Sequence, residues 1–188
     1  MNRRTLLQGL FASAGAAVIA AAPTLTTPAH AHHTSKWRPQ RVRHRFGYRP
    51  GTIVVDPRSR FLYLIESRSR ARRYGIGVGR AGLAFQGSGT IARKAKWPRW
   101  TPTKNMIRRE PDKYARFANG VPGGPGNPLG SRALYLYRNG RDTLYRIHGT
   151  TRPETIGRAV SNGCIRMVNT DVEDLYRRVP VGARVVVL

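Results

Sequence analysis

One thiol and one imidazole stand in the chain where they could act together in acyl-transfer chemistry. Cys164 is the only cysteine, and it follows an Asn162-Gly163 turn. His148 lies sixteen residues upstream and is the only histidine after His44. A thiolate attacks acyl carbons well, but a thiol is mostly protonated at neutral pH and needs a base, a role that imidazole can fill. The sequence therefore predicts a Cys164–His148 catalytic pair.

The residues around this pair could support the same chemistry. The backbone N–H groups of Gly163 and Cys164 are suited to hold an oxyanion, and the charge of Arg166 would favour the thiolate. Taken singly, each residue also has a structural alternative, because a lone cysteine is more often buried and inert. The candidate substrate-binding or site-supporting residues are Arg166, Ser161, Asn162 and Gly149.

Length and charge limit the classes of protein that fit. The chain has 188 residues, and a hydrophobic content of 40% is enough for one core and one domain. The formal net charge is +25, from 34 Lys and Arg against 9 Asp and Glu. An anionic partner is expected, and both nucleic acid and an acidic cell envelope fit this charge.

The amino terminus favours the envelope. Arg3 and Arg4 precede an apolar run over residues 6–22, and an A-x-A cleavage signal follows at residues 29–31. We predict a signal peptide over residues 1–31, of a type that resembles the twin-arginine signals of bacteria. An ordinary secretory signal is the alternative, whereas the run is short for a retained membrane anchor. The mature protein would begin near His32 in the periplasm or cell envelope, without a membrane span and away from nucleic acid.

Export changes the meaning of the single cysteine. In an oxidising compartment an unpaired thiol is usually removed unless it is buried or used. Cys164 therefore needs an explanation, and catalysis supplies one.

The remaining chain predicts a mainly β domain with a few short helices over residues 51–188. Residues 52–55 and 61–65 form one expected hairpin, with the turn at residues 56–60. Residues 133–137 and 143–147 form another, which turns at Asn139-Gly140 and ends at His148. A helix is expected where Thr170 and Glu173 have capping-box spacing, and its apolar face would consist of Val172, Leu175, Tyr176 and Val179. Residues 183–188 form a closing strand. Residues 32–50 are interpreted as a basic linker outside the core, whose histidines are not expected to bind metal.

A long irregular stretch separates the two hairpins. Trp97 and Trp100 lie between prolines, and residues 110–117 could form a short helix. Ordered excursions of this length are often binding lips, so residues 93–126 could form a substrate lid. The alternative, in which the tryptophans only cover one end of the core, stays open at this point.

The combined motifs resemble a known family. His148-Gly149-Thr150, followed by the run SNGCIRM over residues 161–167, is similar to the L,D-transpeptidase (YkuD) catalytic domain of bacterial cell walls. Residues 127–130 and 133–136 and the Trp97 region look alike as well, so the resemblance covers residues 51–188. Many members carry histidine where this chain has Asn162, which leaves His148 as the only candidate base.

The resemblance implies an L,D-transpeptidase-like β-sandwich and a two-step acyl transfer on peptidoglycan. Cys164 would attack a tetrapeptide stem with loss of D-alanine, and an amine would then take the acyl group. The amine of a second stem would give a 3-to-3 cross-link, and a lysine of an outer-membrane protein would give anchoring. The family needs no metal or other cofactor. A wall hydrolase that uses water as acceptor and a non-catalytic cationic wall-binding module are the alternatives.

Overall fold

The computed structural model describes residues 35–188, so the predicted signal peptide lies outside the described residues, as do His32 and His33. Eleven strands are found in this part of the chain: β1 (Gln40–Arg43), β2 (Ile53–Asp56), β3 (Phe61–Ile65), β4 (Arg70–Gly75), β5 (Val78–Gly79), β6 (Gly87–Lys96), β7 (Arg132–Arg138), β8 (Arg141–His148), β9 (Ala159–Ser161), β10 (Ile165–Arg166) and β11 (Arg184–Val187).

The helices are few and short. They are α1 (Lys104–Arg109), α2 (Pro111–Tyr114) and α3 (Asn169–Arg178), with 3-10 turns at Ser35–Trp37, Ala115–Phe117 and Pro153–Thr155. The prediction of a mainly β domain with short helices is confirmed. Among residues 35–188, no helix is long and apolar enough to cross a membrane.

Nine of the strands form one sheet in the order β1-β4-β3-β2-β11-β6-β7-β8-β10, and β5 pairs with β9 separately. Both predicted hairpins are present, since β2 pairs with β3 and β7 pairs with β8 in antiparallel register. The closing strand β11 joins the two halves, running parallel to β2 and antiparallel to β6. Asn139 and Gly140 both have positive φ, 51° and 73°, as the tight β7–β8 turn requires.

The main core lies between this sheet and α3. Val172 and Leu175 of α3 are buried, as is Val179 at its C-cap, and Tyr176 is partly buried against them, as the helical spacing of these residues predicts. They join buried residues from β2, β3, β7, β8 and β11 in one hydrophobic cluster. The apolar face of α3 therefore fixes the strands that carry the candidate site.

The capping-box prediction for α3 is wrong. The helix begins one residue earlier than Thr170, and its N-cap, Val168, makes no side-chain capping bond. The side chain of Asn169 instead accepts the backbone N–H groups of Ser131 and Thr150, at 3.1 and 3.2 Å. The side chain in the first turn of α3 thus binds two neighbouring loops and does not cap the helix.

The interpretation of residues 32–50 as a linker outside the core is wrong for the part that the structure describes. β1 adds to the edge of the main sheet through antiparallel pairing with β4. Phe46 and Tyr48 pack against a second, smaller cluster formed by buried residues of β2, β3 and β4. Alternating apolar residues hold this basic segment on the sheet, a period-two pattern that its many arginines obscured.

Candidate active site

His148 is positioned by the sheet itself. It ends β8 and lies opposite Ala133 of β7 and Arg166 of β10, with only 4% of its surface exposed. Its Nδ1 atom lies 2.6 Å from the carbonyl oxygen of Gly149. Because a carbonyl only accepts, Nδ1 carries the proton and Nε2 keeps a lone pair.

Burial keeps the imidazole neutral. It lowers the pKa of His148 to about 4, and the nearby charges of Arg166 and Arg146 act in the same direction. Backbone contacts with Gly149 and Leu129 act the other way but are outweighed. A neutral histidine with a free Nε2 is in the form that a general base needs.

Cys164 is positioned by a turn rather than by a strand ladder. Ser161 Oγ donates to the carbonyl of Cys164 at 2.6 Å and accepts the N–H of Gly163 at 3.1 Å. Gly163 has φ 124°, and a Cβ there would lie 2.4 Å from Leu83 O and 2.5 Å from the ring of Tyr145. Only glycine fits this turn without displacing its neighbours.

The serine contact bears on the predicted oxyanion hole. The backbone amides of Gly163 and Cys164 were both predicted to bind the oxyanion. The Gly163 amide already donates to Ser161 Oγ in this conformation, so it is not free to do so. Within residues 35–188, the Cys164 amide has no hydrogen-bond acceptor. The role of Gly163 is therefore conformational here, and the Cys164 amide remains the candidate oxyanion donor.

The thiol is half-buried and protonated at rest. Burial raises the pKa of Cys164, although the charges of Arg146 and Arg166 lower it in part. The expectation that arginine would favour the thiolate has the right sign, but desolvation is the larger effect. In the described chain, the thiol makes its one hydrogen-bond contact with Leu144 O, at 3.9 Å, and none with the imidazole.

The two candidate catalytic residues nevertheless share one cavity. β10 runs parallel to β8 with Ile165 opposite Ile147, and the amide of Met167 donates to His148 O at 2.8 Å. The turn before β10 therefore brings Cys164 to the end of β8. Both side chains line a cavity of about 610 Å³.

The excursion between the hairpins forms another wall of this cavity. The side-chain amide of Asn162 donates to Tyr114 OH at 2.8 Å. Trp100 packs edge-on against Tyr114 and Phe117, with its ring centroid 6.2 and 5.8 Å from theirs. The predicted short helix over residues 110–117 is present as α2 followed by a 3-10 turn. Trp100 therefore lines the cavity, whereas Trp97 is 44% exposed.

Asn162 is the junction between the cysteine turn and this wall. Its Oδ1 atom accepts from Arg80 at 2.8 Å and from Arg109 at 3.5 Å. Arg80 also pairs with Glu110 at 2.8 Å. The sequence offered no signal for these contacts, because the partners of Asn162 are separated from it by 48 to 82 residues.

Cations dominate the lining of the cavity. None of its lining residues is Asp or Glu. Arg166 is partly buried, burial lowers its pKa, and its side chain has no hydrogen-bond or ion-pair partner within residues 35–188. A desolvated guanidinium without a partner is suited to a ligand carboxylate. The cationic residues are Arg80, Arg109, Lys113, Arg116, Arg152, Arg158 and Arg166.

Gly149 supports the site through its backbone. Its carbonyl fixes the imidazole, and a Cβ at this position would lie 2.1 Å from Asn169 Oδ1. Asn169 and Leu144, whose φ is 64°, are site-supporting residues that the sequence did not reveal. Within residues 35–188, no three His, Cys, Asp or Glu side chains are grouped so that they could hold a metal ion.

The fold and the site define a class of protein: a mainly β domain in which a cysteine on a glycine turn and a neutral, buried histidine line one cation-rich cavity. The sequence model of the YkuD family, described as the L,D-transpeptidase catalytic domain, matches residues 50–187. The chain belongs to this family, as its motifs predicted.

Three known proteins illustrate the relationship. The probable L,D-transpeptidase ErfK/SrfK of Escherichia coli (strain K12) is 37% identical over 142 residues, which make up 74% of this chain but 44% of that protein. This chain thus spans less than half the length of that relative. A solved structure from Brucella melitensis is 61% identical with a TM-score of 0.57, covering 82% of this chain and 96% of that one.

The third is a solved L,D-transpeptidase from Mycobacterium smegmatis, 17% identical with a TM-score of 0.54, covering 73% of this chain and 58% of that one. At this identity the match shows the fold alone, and it confirms the predicted fold class. The Brucella structure is described as a probable carnitine operon oxidoreductase. That description concerns another activity, and membership of the YkuD family rests here on the match over residues 50–187.

Proposed function

We propose that this chain is a peptidoglycan L,D-transpeptidase that uses Cys164 as nucleophile and His148 as general base. One observation carries the proposal: both side chains line the same cavity, and Gly149 O holds the imidazole with Nε2 unprotonated. Membership of the YkuD family supports the reaction type.

The charge of the cavity supports an anionic substrate. A tetrapeptide stem that ends in meso-diaminopimelic acid and D-alanine carries free carboxylates, and the cavity presents seven cationic side chains. Arg166, unpaired and next to the cysteine turn, would bind one of these carboxylates. Its side chain does not bond the Cys164 turn, which favours substrate binding over the alternative of holding that turn.

In the first step, the sulfur of Cys164 attacks the carbonyl on the L-centre of diaminopimelic acid while Nε2 of His148 takes the thiol proton. Because the pKa of the thiol is raised and that of the imidazole is lowered, a preformed thiolate–imidazolium pair is disfavoured. Proton transfer would therefore accompany formation of the S–C bond. The Cys164 amide would hold the oxyanion.

Collapse of the tetrahedral intermediate breaks the C–N bond to D-alanine. The imidazolium gives its proton to the leaving amine, and a thioester remains on Cys164. In the second step, Nε2 of His148 takes a proton from the incoming amine, which attacks the thioester and regenerates the thiol. With a stem amine this step makes a 3-to-3 cross-link, with a protein lysine it makes an anchor, and with water it is hydrolysis.

The proposed substrate places the enzyme in the bacterial cell envelope. Export by the signal predicted over residues 1–31 would deliver it there. Cleavage of that signal can be checked by amino-terminal sequencing of the protein from an envelope fraction.

The test is incubation of the mature protein with disaccharide-tetrapeptide, followed by mass spectrometry of the products. Dimers with release of D-alanine would support transfer, whereas tripeptide alone would identify a hydrolase. Acylation of Cys164 by a carbapenem gives a second readout that needs no acceptor. A folded protein that shows neither D-alanine release nor acylation would contradict the proposal.

A further inference from the structure

A second cationic region lies at the edge of the sheet, outside the cavity. From residue 41 to residue 46 the side chains alternate, with the arginines exposed and the residues between them partly buried. The same alternation brings Arg49 to the surface after the partly buried Tyr48. The neighbouring β3–β4 turn and the start of β4 add two more exposed arginines. We call the five exposed residues that form no ion pair with residues 35–188 the arginine ladder: Arg43, Arg45, Arg49, Arg68 and Arg70.

The fold holds this ladder in place. Arg43 lies directly opposite Arg70 in the β1–β4 pairing. The His44 amide donates to Ser69 O at 3.1 Å, and His44 Nε2 bonds Ser67 O at 3.0 Å. The ring of Phe46 packs edge-on against that of Tyr63 at 5.1 Å. The arginines therefore project from ordered backbone rather than from a tether.

The charges of the ladder are not compensated within the described chain. Glu66 is the nearby acid, and it pairs with Arg41 at 3.1 Å and Arg72 at 3.2 Å. Within residues 35–188, no acidic side chain forms an ion pair with a ladder residue. Like charges directly opposite each other destabilise a sheet, so the facing pair Arg43 and Arg70 indicates an anion from outside.

The spacing suits a polymer with repeated charges. Alternate residues of an extended strand project on the same side about 6.6 Å apart. Arg43 ends β1, and Arg45 continues the same alternation of exposed and partly buried residues beyond it. The two arginines thus lie on the same side at a short interval, with Arg70 opposite the first. None of the ladder residues lines the catalytic cavity, so a polymer could occupy both regions at once.

We propose that the arginine ladder binds the carboxylates of peptidoglycan stem peptides and holds the enzyme on the polymer that it modifies. The identity of the polymer rests on the proposed function. An anionic membrane surface fits less well, because the exposed large apolar residues of the described chain, Trp97, Leu144, Val160, Val181 and Leu188, lie outside the ladder. The partly buried Phe46 and Tyr48 pack inward on the sheet, so the ladder presents charge without a group to insert into lipid.

The experiment compares two charge-matched variants in a Cys164→Ala background, so that binding is measured without turnover. The ladder variant is R43Q/R45Q/R70Q. The control, R58Q/R141Q/R177Q, removes the same number of exposed charges elsewhere. Each protein is sedimented with purified insoluble peptidoglycan at several salt concentrations, and thermal melting confirms that both variants are folded.

We expect roughly tenfold weaker binding for the ladder variant, little change for the control, and weaker binding of the parent protein at high salt. Peptidoglycan whose carboxyl groups have been converted to amides should bind the parent protein as weakly as the native polymer binds the ladder variant. This arm needs no variant, so the proposal stays testable if the ladder variant does not fold.

Four results would overturn the proposal. Equal losses in both variants would mean that net charge alone drives binding. Undiminished binding to amidated peptidoglycan would show that carboxylates are not the ligand. Binding that depends on the ladder with phosphatidylglycerol vesicles but not with peptidoglycan would show that the ladder binds lipid. Aggregation of the ladder variant with unchanged binding would assign it to protection of the sheet edge. Turnover of soluble disaccharide-tetrapeptide by the Cys164-intact protein is measured separately, so a failure of the proposed function is distinguishable.

Discussion

His148 and Cys164 reach the same cavity from regions of different construction. His148 ends a strand that is bonded on both sides, and it is 4% exposed. Cys164 lies on a turn whose shape depends on a serine hydroxyl, a glycine with positive φ and the polar contacts of Asn162. The core thus positions the proposed base, whereas a few hydrogen bonds from distant segments position the proposed nucleophile.

This difference separates chemical from positional effects of mutation. Substitutions on the histidine side change the chemistry of a rigid frame. Substitutions around the cysteine turn change where the sulfur lies while both reacting groups remain. The following predictions use this contrast, beginning with the largest effect.

Cys164→Ala removes the proposed nucleophile. D-Alanine release and carbapenem acylation should fall by roughly 10⁴-fold or more, because no other thiol exists in the chain. Mass spectrometry of the protein and of the products checks both. The melting temperature should change little, since the sulfur makes only a long contact with Leu144 O. Turnover that persists in this variant would show that Cys164 is not the nucleophile.

His148→Ala removes the base and should lower the acylation rate by roughly 10²- to 10⁴-fold. No second histidine can compensate, since His44, the other histidine of the described chain, is bonded to Ser67 O and lies outside the cavity. His44→Gln is the matched control and should retain activity. Added imidazole should partly restore acylation in the alanine variant by entering the vacated space, and full activity without it would contradict the assignment.

Gly163→Ala tests the turn without altering either reacting group. The added Cβ would meet Leu83 O and the Tyr145 ring, at a φ that L residues rarely adopt. We expect acylation to fall by roughly 10- to 100-fold, because the sulfur is displaced. Gly126→Ala, where a Cβ meets nothing within 4 Å, is the control. Equal rates for the two variants would show that the turn tolerates a side chain.

The pH dependence of acylation reports the environment of the base. The neutral imidazole is the active form, and the pKa of His148 is lowered to about 4. The rate should therefore hold from neutral pH down to about pH 5 and fall tenfold per pH unit below about 4. Stopped-flow measurement of carbapenem acylation checks this, with circular dichroism to exclude acid unfolding. A midpoint near the ordinary histidine value, about 6.5, would contradict the neutral buried state.

The contact between Asn162 and Tyr114 should give the smallest effect. Asn162→Ala and Tyr114→Phe each remove one side of a 2.8 Å hydrogen bond, and each should slow transfer by roughly 3- to 10-fold. A double-mutant cycle should show a coupling of about 0.5–1.5 kcal/mol in the activation free energy. Additive effects on the activation free energy would mean that Tyr114, in the cavity wall, and the cysteine turn act independently.

Local patterns predicted the elements, and they singled out His148 and Cys164, which the structure brings to one cavity. The β-branched runs and the Asn139-Gly140 turn predicted both hairpins, and the spacing of Val172, Leu175 and Val179 predicted the face of α3. These signals are local, because the apolar periods of strands and helices can be read from residues a few positions apart in the sequence. The short motifs around His148 and Cys164 likewise needed no tertiary information.

Long-range contacts account for what the sequence did not reveal. The polar partners of Asn162 come from Arg80, Arg109 and Tyr114, which no spacing rule connects to it. The pKa of Cys164 is raised because the thiol is buried, and that burial depends on the fold. Residue types gave only the direction in which the nearby arginines shift this pKa. The basic segment over residues 35–50 was misjudged because its charge masked an alternating apolar face.

The order of strands in the main sheet has a consequence for how the enzyme would work on a wall. β1, which carries part of the ladder, and β10, which follows Cys164, are its two terminal strands. The sheet curves so that its edges approach each other, because Arg166 of β10 bridges Gly77, two residues after the end of β4. No ladder residue lines the cavity, so a stem bound at the ladder would differ from the stem that Cys164 acylates. Binding at the ladder would raise the effective concentration of neighbouring stems at the cavity, and a continuous meshwork would be modified faster than short isolated fragments.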